Sequence, residues 1–260
     1  MKIASWNVNS LNVRLPHLEQ WLRDAAPDVV GIQETKLEDN KFPDAVLAGL
    51  GYRSVFAGQK TYNGVAILAR EHAIDEVCIG IPGFDDAQRR VIAATVNGMR
   101  VVNLYVVNGQ DVGTEKYEYK LRWLDAVHSW LSEELQKHPR MVVLGDFNIA
   151  PDDRDVHDPA VWNDGHILTS AAERQALQRL AGLGLHDAYR LHHGDAGQFS
   201  WWDYRQAAFR RNMGLRIDLT LVSDALRGTA AAAGIDREPR TWERPSDHAP
   251  VWVRLAGQAL

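Results

Sequence analysis

The stretch Met141-Val142-Val143-Leu144-Gly145-Asp146-Phe147-Asn148 constrains the fold most. Its continuous apolar start has the pattern of a strand covered on both faces, so layers must lie on either side of it. The run breaks at Gly145 into Asp146 and Asn148. In extended chain these two point the same way while Phe147 points the other, which puts a carboxylate and an amide together where a core strand ends. Taken alone, the stretch reads more readily as an Asx-type turn, with both side chains bonded to backbone amides.

The same arrangement recurs, and recurrence weakens the turn reading. The stretch Ile3 to Ser10 begins as a strand and ends in asparagines, Asn7 and Asn9, and an apolar run from Pro27 ends in Gln33 and Glu34. Helical spacing marks 11–26, 114–137 and 171–183, the last capped by Ser170 and stopped by Gly184. Further strands are expected over 52–59, 64–70, 91–96, 99–107, 215–222 and 251–255, with Asn97-Gly98 as a hairpin turn. Along 215–222, Ile217, Leu219 and Leu221 alternate with Arg216, Asp218 and Thr220, giving one apolar and one charged face. With 260 residues, 45% of them hydrophobic, and no linker or repeat, the chain reads as one domain over 1–260 of the α/β class, with stacked sheets flanked by helices.

The polar strand ends collect Asn7, Glu34, Asp146, Asn148, Asp218, Asp247 and His248. Cys78 is the single cysteine, which excludes an internal disulfide and a cysteine-built zinc site; its apolar neighbours suggest a buried, inert thiol. Any metal is therefore held by oxygen or imidazole, and so many hard oxygen groups suit Mg²⁺ or Mn²⁺ with a phosphoester substrate. A formal net charge of -5 argues against coating nucleic acid through bulk charge but leaves room for a local basic surface. No apolar run approaches membrane-spanning length and no secretory leader is visible, so a soluble cytosolic protein is expected.

Taken in order, Trp6-Asn7-Val8-Asn9, Gln33-Glu34-Thr35-Lys36, Asn103 to Gly109, Lys116 to Leu121, Gly145-Asp146-Phe147-Asn148, Leu215-Arg216-Ile217-Asp218 and Ser246-Asp247-His248-Ala249-Pro250 resemble the successive motifs of the exonuclease III family. The resemblance spans nearly the whole chain. It implies a four-layer α/β sandwich with two packed, mainly antiparallel sheets, and a Mg²⁺- or Mn²⁺-dependent DNA-repair phosphodiesterase. Its substrate would be double-stranded DNA with 3' ends, 3'-phosphates or abasic sites, and a monomer is expected.

By the same resemblance Glu34 is the main metal ligand, with Asn7 and Asp247 as direct or water-mediated contacts. Asp146 orients or deprotonates the attacking water, Asn148 bonds to the phosphate or to that water, Tyr105 contacts the phosphate, and Asp218 partners His248. Asn108, Lys116, Lys120, Arg205, Arg210 and Arg211 are expected to meet DNA phosphates. Trp201, Leu215 and Ile217 would wall a pocket for a base-less sugar, although core residues are the default for such side chains. His166 stands where many abasic endonucleases of this family carry a small residue, which implies obstruction of an internal abasic nucleotide and a preference for 3' termini. A superfamily phosphatase acting on a lipid or inositol phosphate would use the same rim without the Trp201 and Arg210-Arg211 region. A binding module without catalysis would break the rim, and every expected rim residue is present.

Overall fold

Two parallel strand pairs organise the protein, and each lies at the centre of its own sheet in this computed structural model, which describes residues 1–257. The first is β1 (Lys2–Asn7) beside β2 (Val29–Gln33), joined by helix α1 (Leu11–Ala25). The second is β7 (Met99–Tyr105) beside β8 (Met141–Asp146), joined by helix α3 (Glu115–Lys137). Parallel pairing needs such a crossover, and it sets the carboxyl ends of both strands side by side.

Antiparallel strands complete each sheet. With β3 (Tyr52–Ala57), β4 (Val65–Arg70), β11 (Ala230–Ile235) and β12 (Val251–Leu255), the first runs β11-β12-β1-β2-β4-β3. With β5 (Ile74–Ile79), β6 (Val91–Val96), β9 (Leu185–Asp187) and β10 (Asp218–Ser223), the second runs β5-β6-β7-β8-β10-β9. The sheets are mainly antiparallel, as the family resemblance implied. Strands β5, β9 and β11 lie outside the sequence-based assignment, and the strand expected from Leu215 starts at Asp218, because Leu215 bridges Val156 and Trp201 instead.

Strand alternation then builds four layers. Ile3, Val29, Val142, Leu144 and Val253 fill the space between the sheets. Ala4, Trp6, Val30 and Ile32 turn outward against α1 and against Leu47 of α2 (Asp44–Gly49). Val102, Leu104 and Val143 turn outward against Trp123 and Leu124 of α3 and Leu177 and Leu180 of α4 (Ala171–Ala181). Helix α1 ends one residue before the expected Ala26, which adopts φ 42, and α4 ends before the expected Leu183 with Gly182 as its C-cap. No helix among the described residues is long and apolar enough to cross a membrane.

The period of two decides where the site forms. Positions 3, 5 and 7 of β1 and 142, 144 and 146 of β8 share the inter-sheet side, so Asn7 and Asp146 meet at the same end of the gap. A buried polar tie fixes that end: Gln33 Nε2 donates to Asn103 Oδ1 at 2.7 Å, and Asn103 Nδ2 donates to the carbonyls of Ile32 and Ala66. Gly31 allows the sheets to come this close, since a Cβ there would lie 2.2 Å from Leu144 Cδ1.

Candidate active site at the carboxyl ends of the parallel strands

Register places the acids. Asp146 pairs with Tyr105 on one side and Asp218 on the other, and Asn7 pairs with Gln33, one residue before Glu34. His248 enters from the segment preceding β12, anchored where its carbonyl accepts Trp6 Nε1–H at 3.1 Å. Glu34, Tyr105, Asn108, Asp146, Asn148, Asp247 and His248 line one cavity of about 270 Å³, with Leu168, Trp201 and Ile217 as its apolar wall.

Asp146 is the hub. Its Oδ1 accepts Asn148 N–H at 3.0 Å and its Oδ2 accepts Asn7 Nδ2–H at 2.9 Å, while His248 Nε2 lies 3.7 Å from Oδ2. Burial is the main force pushing its carboxyl up to about 7; Asp218 and Glu34 add repulsion, and His248 and Asn7 partly offset it. His248 Nδ1 donates to Asp218 at 2.9 and 3.1 Å. Burial works against a charged ring there, but Asp218, Asp146 and Asp247 outweigh it and push the imidazole up to about 10. Burial, with Glu34 and Asp146 close by, also raises the Tyr105 hydroxyl well above its ordinary value, keeping it a donor.

Glu34 stands at φ 53, a left-handed conformation that the surroundings must hold. Asn7 Nδ2 donates to its Oε1 at 2.8 Å, Lys36 Nζ lies 2.9 Å from its Oε2, and its carbonyl accepts Ser10 N–H at 2.8 Å. Oxygens of Glu34 and Asp146 and a nitrogen of His248 lie within 4.8 Å of one another. A protonated imidazole has no lone pair to give, so the donors there are carboxylate oxygens. That anionic, oxygen-rich set fits a hard divalent cation. Asp247 lines the same cavity, but its two oxygens accept Asn9 Nδ2–H and Trp201 Nε1–H, both at 2.9 Å.

The family profile described as Endonuclease/Exonuclease/phosphatase family matches residues 4–248, nearly the whole chain, and therefore every residue of this cavity. The chain belongs to that family. Exodeoxyribonuclease III of Haemophilus influenzae is 36% identical over 267 residues, covering 98% of this chain and 100% of the relative. Among solved structures, the 3' phosphatase NExo from Neisseria bound to a product DNA hairpin is 48% identical, with 99% and 100% of the two chains covered and a TM-score of 0.97. An AP endonuclease from Archaeoglobus fulgidus is 34% identical over 98% of this chain and 99% of its own, with a TM-score of 0.93.

Within this family member the remaining expected site residues divide. Lys116 is exposed in a neighbouring cleft of about 460 Å³, shared with Arg90 and joined to the first cavity through Asn108. Arg205, Arg210 and Arg211 are exposed, and Arg205 pairs with Asp203. Lys120 corrects the sequence reading: it is fully buried and ion-paired with Glu173, so it cannot meet a DNA phosphate. Leu215 is buried behind Ile217 and Trp201 in the same apolar cluster rather than lining the cavity. His166 is exposed, its ring 6.1 Å from that of Trp162, and the cavity wall in that loop is Leu168, at φ 74. Sequence reasoning gave no role to Leu168, Lys36 or Asn9; the last two lie inside quoted motifs, whereas nothing local marks Leu168. Cys78 is half-buried, and burial raises its thiol.

Proposed function

We propose that this chain is a divalent-metal-dependent DNA-repair hydrolase of exonuclease III type, acting on 3' ends of duplex DNA as 3'-5' exonuclease and 3'-phosphatase. The observation that carries this reading is Asp146, buried and raised to about 7, facing a charged His248–Asp218 pair across one cavity. A general base works best with a pKa near the operating pH, and a fixed positive charge is most effective in a buried site. The nucleases and the 3' phosphatase among its relatives support DNA over a lipid or inositol phosphate.

In this scheme the phosphate sits among Asn108, Asn148, the Tyr105 hydroxyl and His248 Nε2–H. Asp146, held by Asn148 N–H and Asn7, takes the proton of a water aimed at phosphorus. The new O–P bond forms as the P–O3' bond breaks, releasing a 3'-hydroxyl end and either a 5'-mononucleotide or inorganic phosphate. Glu34, with Asn7 and Asp146 beside it, would hold Mg²⁺ or Mn²⁺, which supplies charge stabilisation at the phosphate and the leaving oxygen. Trp201, Ile217 and Leu168 receive the terminal sugar, and Lys116 and Arg90 offer charge to the strand beyond Asn108.

The test is hydrolysis of matched duplexes bearing a 3'-phosphate, a recessed 3' end or an internal abasic site, with inositol phosphates in parallel. Turnover of the 3' substrates that stops in EDTA and returns with Mg²⁺ or Mn²⁺ is expected. Full activity in excess EDTA, or preference for the inositol phosphates, would overturn the assignment.

A further inference from the structure

Beneath the cavity a single buried ion pair reaches three of its walls. Lys120 of α3 and Glu173 of α4 have no exposed surface. Besides pairing with Glu173, Lys120 Nζ donates to the carbonyl of Asn148 at 2.7 Å and to that of Asn108 at 3.1 Å. Glu173 Oε1 accepts Leu168 N–H at 3.1 Å, and its Oε2 accepts Ser170 N–H at 3.1 Å and the Ser170 hydroxyl at 2.7 Å. All three ammonium protons are thus in use, two of them on the backbone of residues that line the cavity.

Those backbone positions matter to the chemistry. The N–H of Asn148 is the donor that holds Asp146 Oδ1, and Asn108 Nδ2 donates to Asn148 Oδ1 at 3.2 Å, so a shift of Asn148 reaches the base and a phosphate contact together. Leu168 keeps its left-handed φ of 74 only because its neighbours hold it: Glu173 takes its N–H, and its carbonyl accepts Ala150 N–H at 2.8 Å.

We propose that Lys120 and Glu173 are positioning residues for hydrolysis, fixing Asn108, Asn148 and Leu168 from below; this rests on assigning hydrolysis to the cavity above them. A buried pair is by itself weak evidence for stability, and core packing alone would be the plainer role. The molecule contains its own control. Arg100 and Glu134, 2.7 Å apart and 4% and 8% exposed, form a second buried pair near the other end of α3 and touch no residue of the cavity.

The experiment compares Glu173→Gln and Lys120→Met with Glu134→Gln, each assayed well below its own melting temperature. Loss of a supporting partner of this kind costs about ten- to a hundredfold, so kcat on a 3'-phosphorylated duplex should fall at least about tenfold in the first two, with KM moving less than about threefold. Glu134→Gln should lose comparable stability yet keep kcat within about twofold, because distant sites act independently. Hydrogen exchange at the amides of Asn148 and Leu168 should accelerate only in the first two variants. This readout needs no activity, so it still decides the proposal if the parent hydrolyses nothing, and inactivity of the parent would count against the cavity assignment alone. If Lys120→Met does not fold, Glu173→Gln decides, and if that also fails, Glu173→Asp is read in the same way. Parental kcat and exchange in a folded Glu173 variant, or an equal kcat loss in Glu134→Gln, would overturn the inference.

Discussion

Replacing Asp218 with Asn tests the electrostatic core of the site, because it removes one charge and almost no volume. Lifting His248 from 6.5 to about 10 corresponds to roughly 5 kcal/mol of net preference for the charged ring. Among the described residues Asp218 is the only carboxylate in hydrogen-bond contact with that ring, and it is the first of the three that raise it. If it supplies about half, Asp218→Asn removes about 2 to 3 kcal/mol and the imidazole should titrate about two units lower. The same charge raises Asp146, so that carboxyl should move down as well. Both limbs of the pH–rate profile therefore shift toward acid together instead of closing on one another, and kcat should drop by about ten- to a hundredfold.

The linkage has a definite sign. A histidine whose folded pKa exceeds its unfolded value contributes stability that is complete below about 6.5 and is lost as pH rises through about 10. In Asp218→Asn that loss should be finished about two pH units earlier. Proton NMR of the imidazole in EDTA, urea midpoints across pH 6 to 10 and the rate profile report the three quantities separately. An imidazole still titrating near 10 in the variant would refute the reasoning, since Asp218 could not then be what holds its proton.

Three further outcomes are expected. Leu168→Gly should relieve a left-handed leucine and open the cavity wall, and His166→Gly should remove bulk at the exposed loop. If the loop sets preference for 3' termini, either change raises abasic-site cleavage relative to 3'-phosphate removal, by about tenfold for a difference of 1.4 kcal/mol, and an unchanged ratio in both variants would separate the loop from selectivity. Gly145→Ala should cost at least about 4 kcal/mol, since φ is +146 and the added Cβ would lie 1.8 Å from Leu104 O; a Tm within about 2 °C of the parent would contradict that geometry. Replacing Arg210 and Arg211 with Ala should lower the salt slope of duplex binding by about 1.8 if each meets one phosphate, and a parental slope would remove them from the DNA contact surface.

What could be read from the chain was local. Strands buried on both faces, Met141–Leu144 and Val29–Ile32, announce themselves by apolar runs, and the acids and amides at their ends follow from them. Edge and irregular strands do not: β5 carries Asp75 and Glu76 and slips register between Asp75 and Cys78, β9 has three residues, and the alanines of β11 have no strand preference. Lys120 shows the limit most clearly. One helical turn after Lys116 it looks like half of a basic stripe, and only the fold discloses that Glu173, 53 residues later, meets it in the interior. Leu168 was invisible for the same reason, since its role comes from a backbone bend and not from its side-chain type.

The pairing of β1 with β12 has a consequence for the order in which the protein becomes competent. Ser246 Oγ donates to the carbonyl of Asn7 from 239 residues away, and β12, which follows the histidine segment, closes onto β1. A nascent chain that has emerged only through β10 already holds Glu34, Asp146, Asn148 and Asp218, yet it lacks His248, and one side of β1 awaits its neighbour. Contacts of such long range form late and slowly. Under the proposed mechanism, a product stalled or truncated before His248 would therefore carry the acids without the charged ring that the scheme sets against the phosphate.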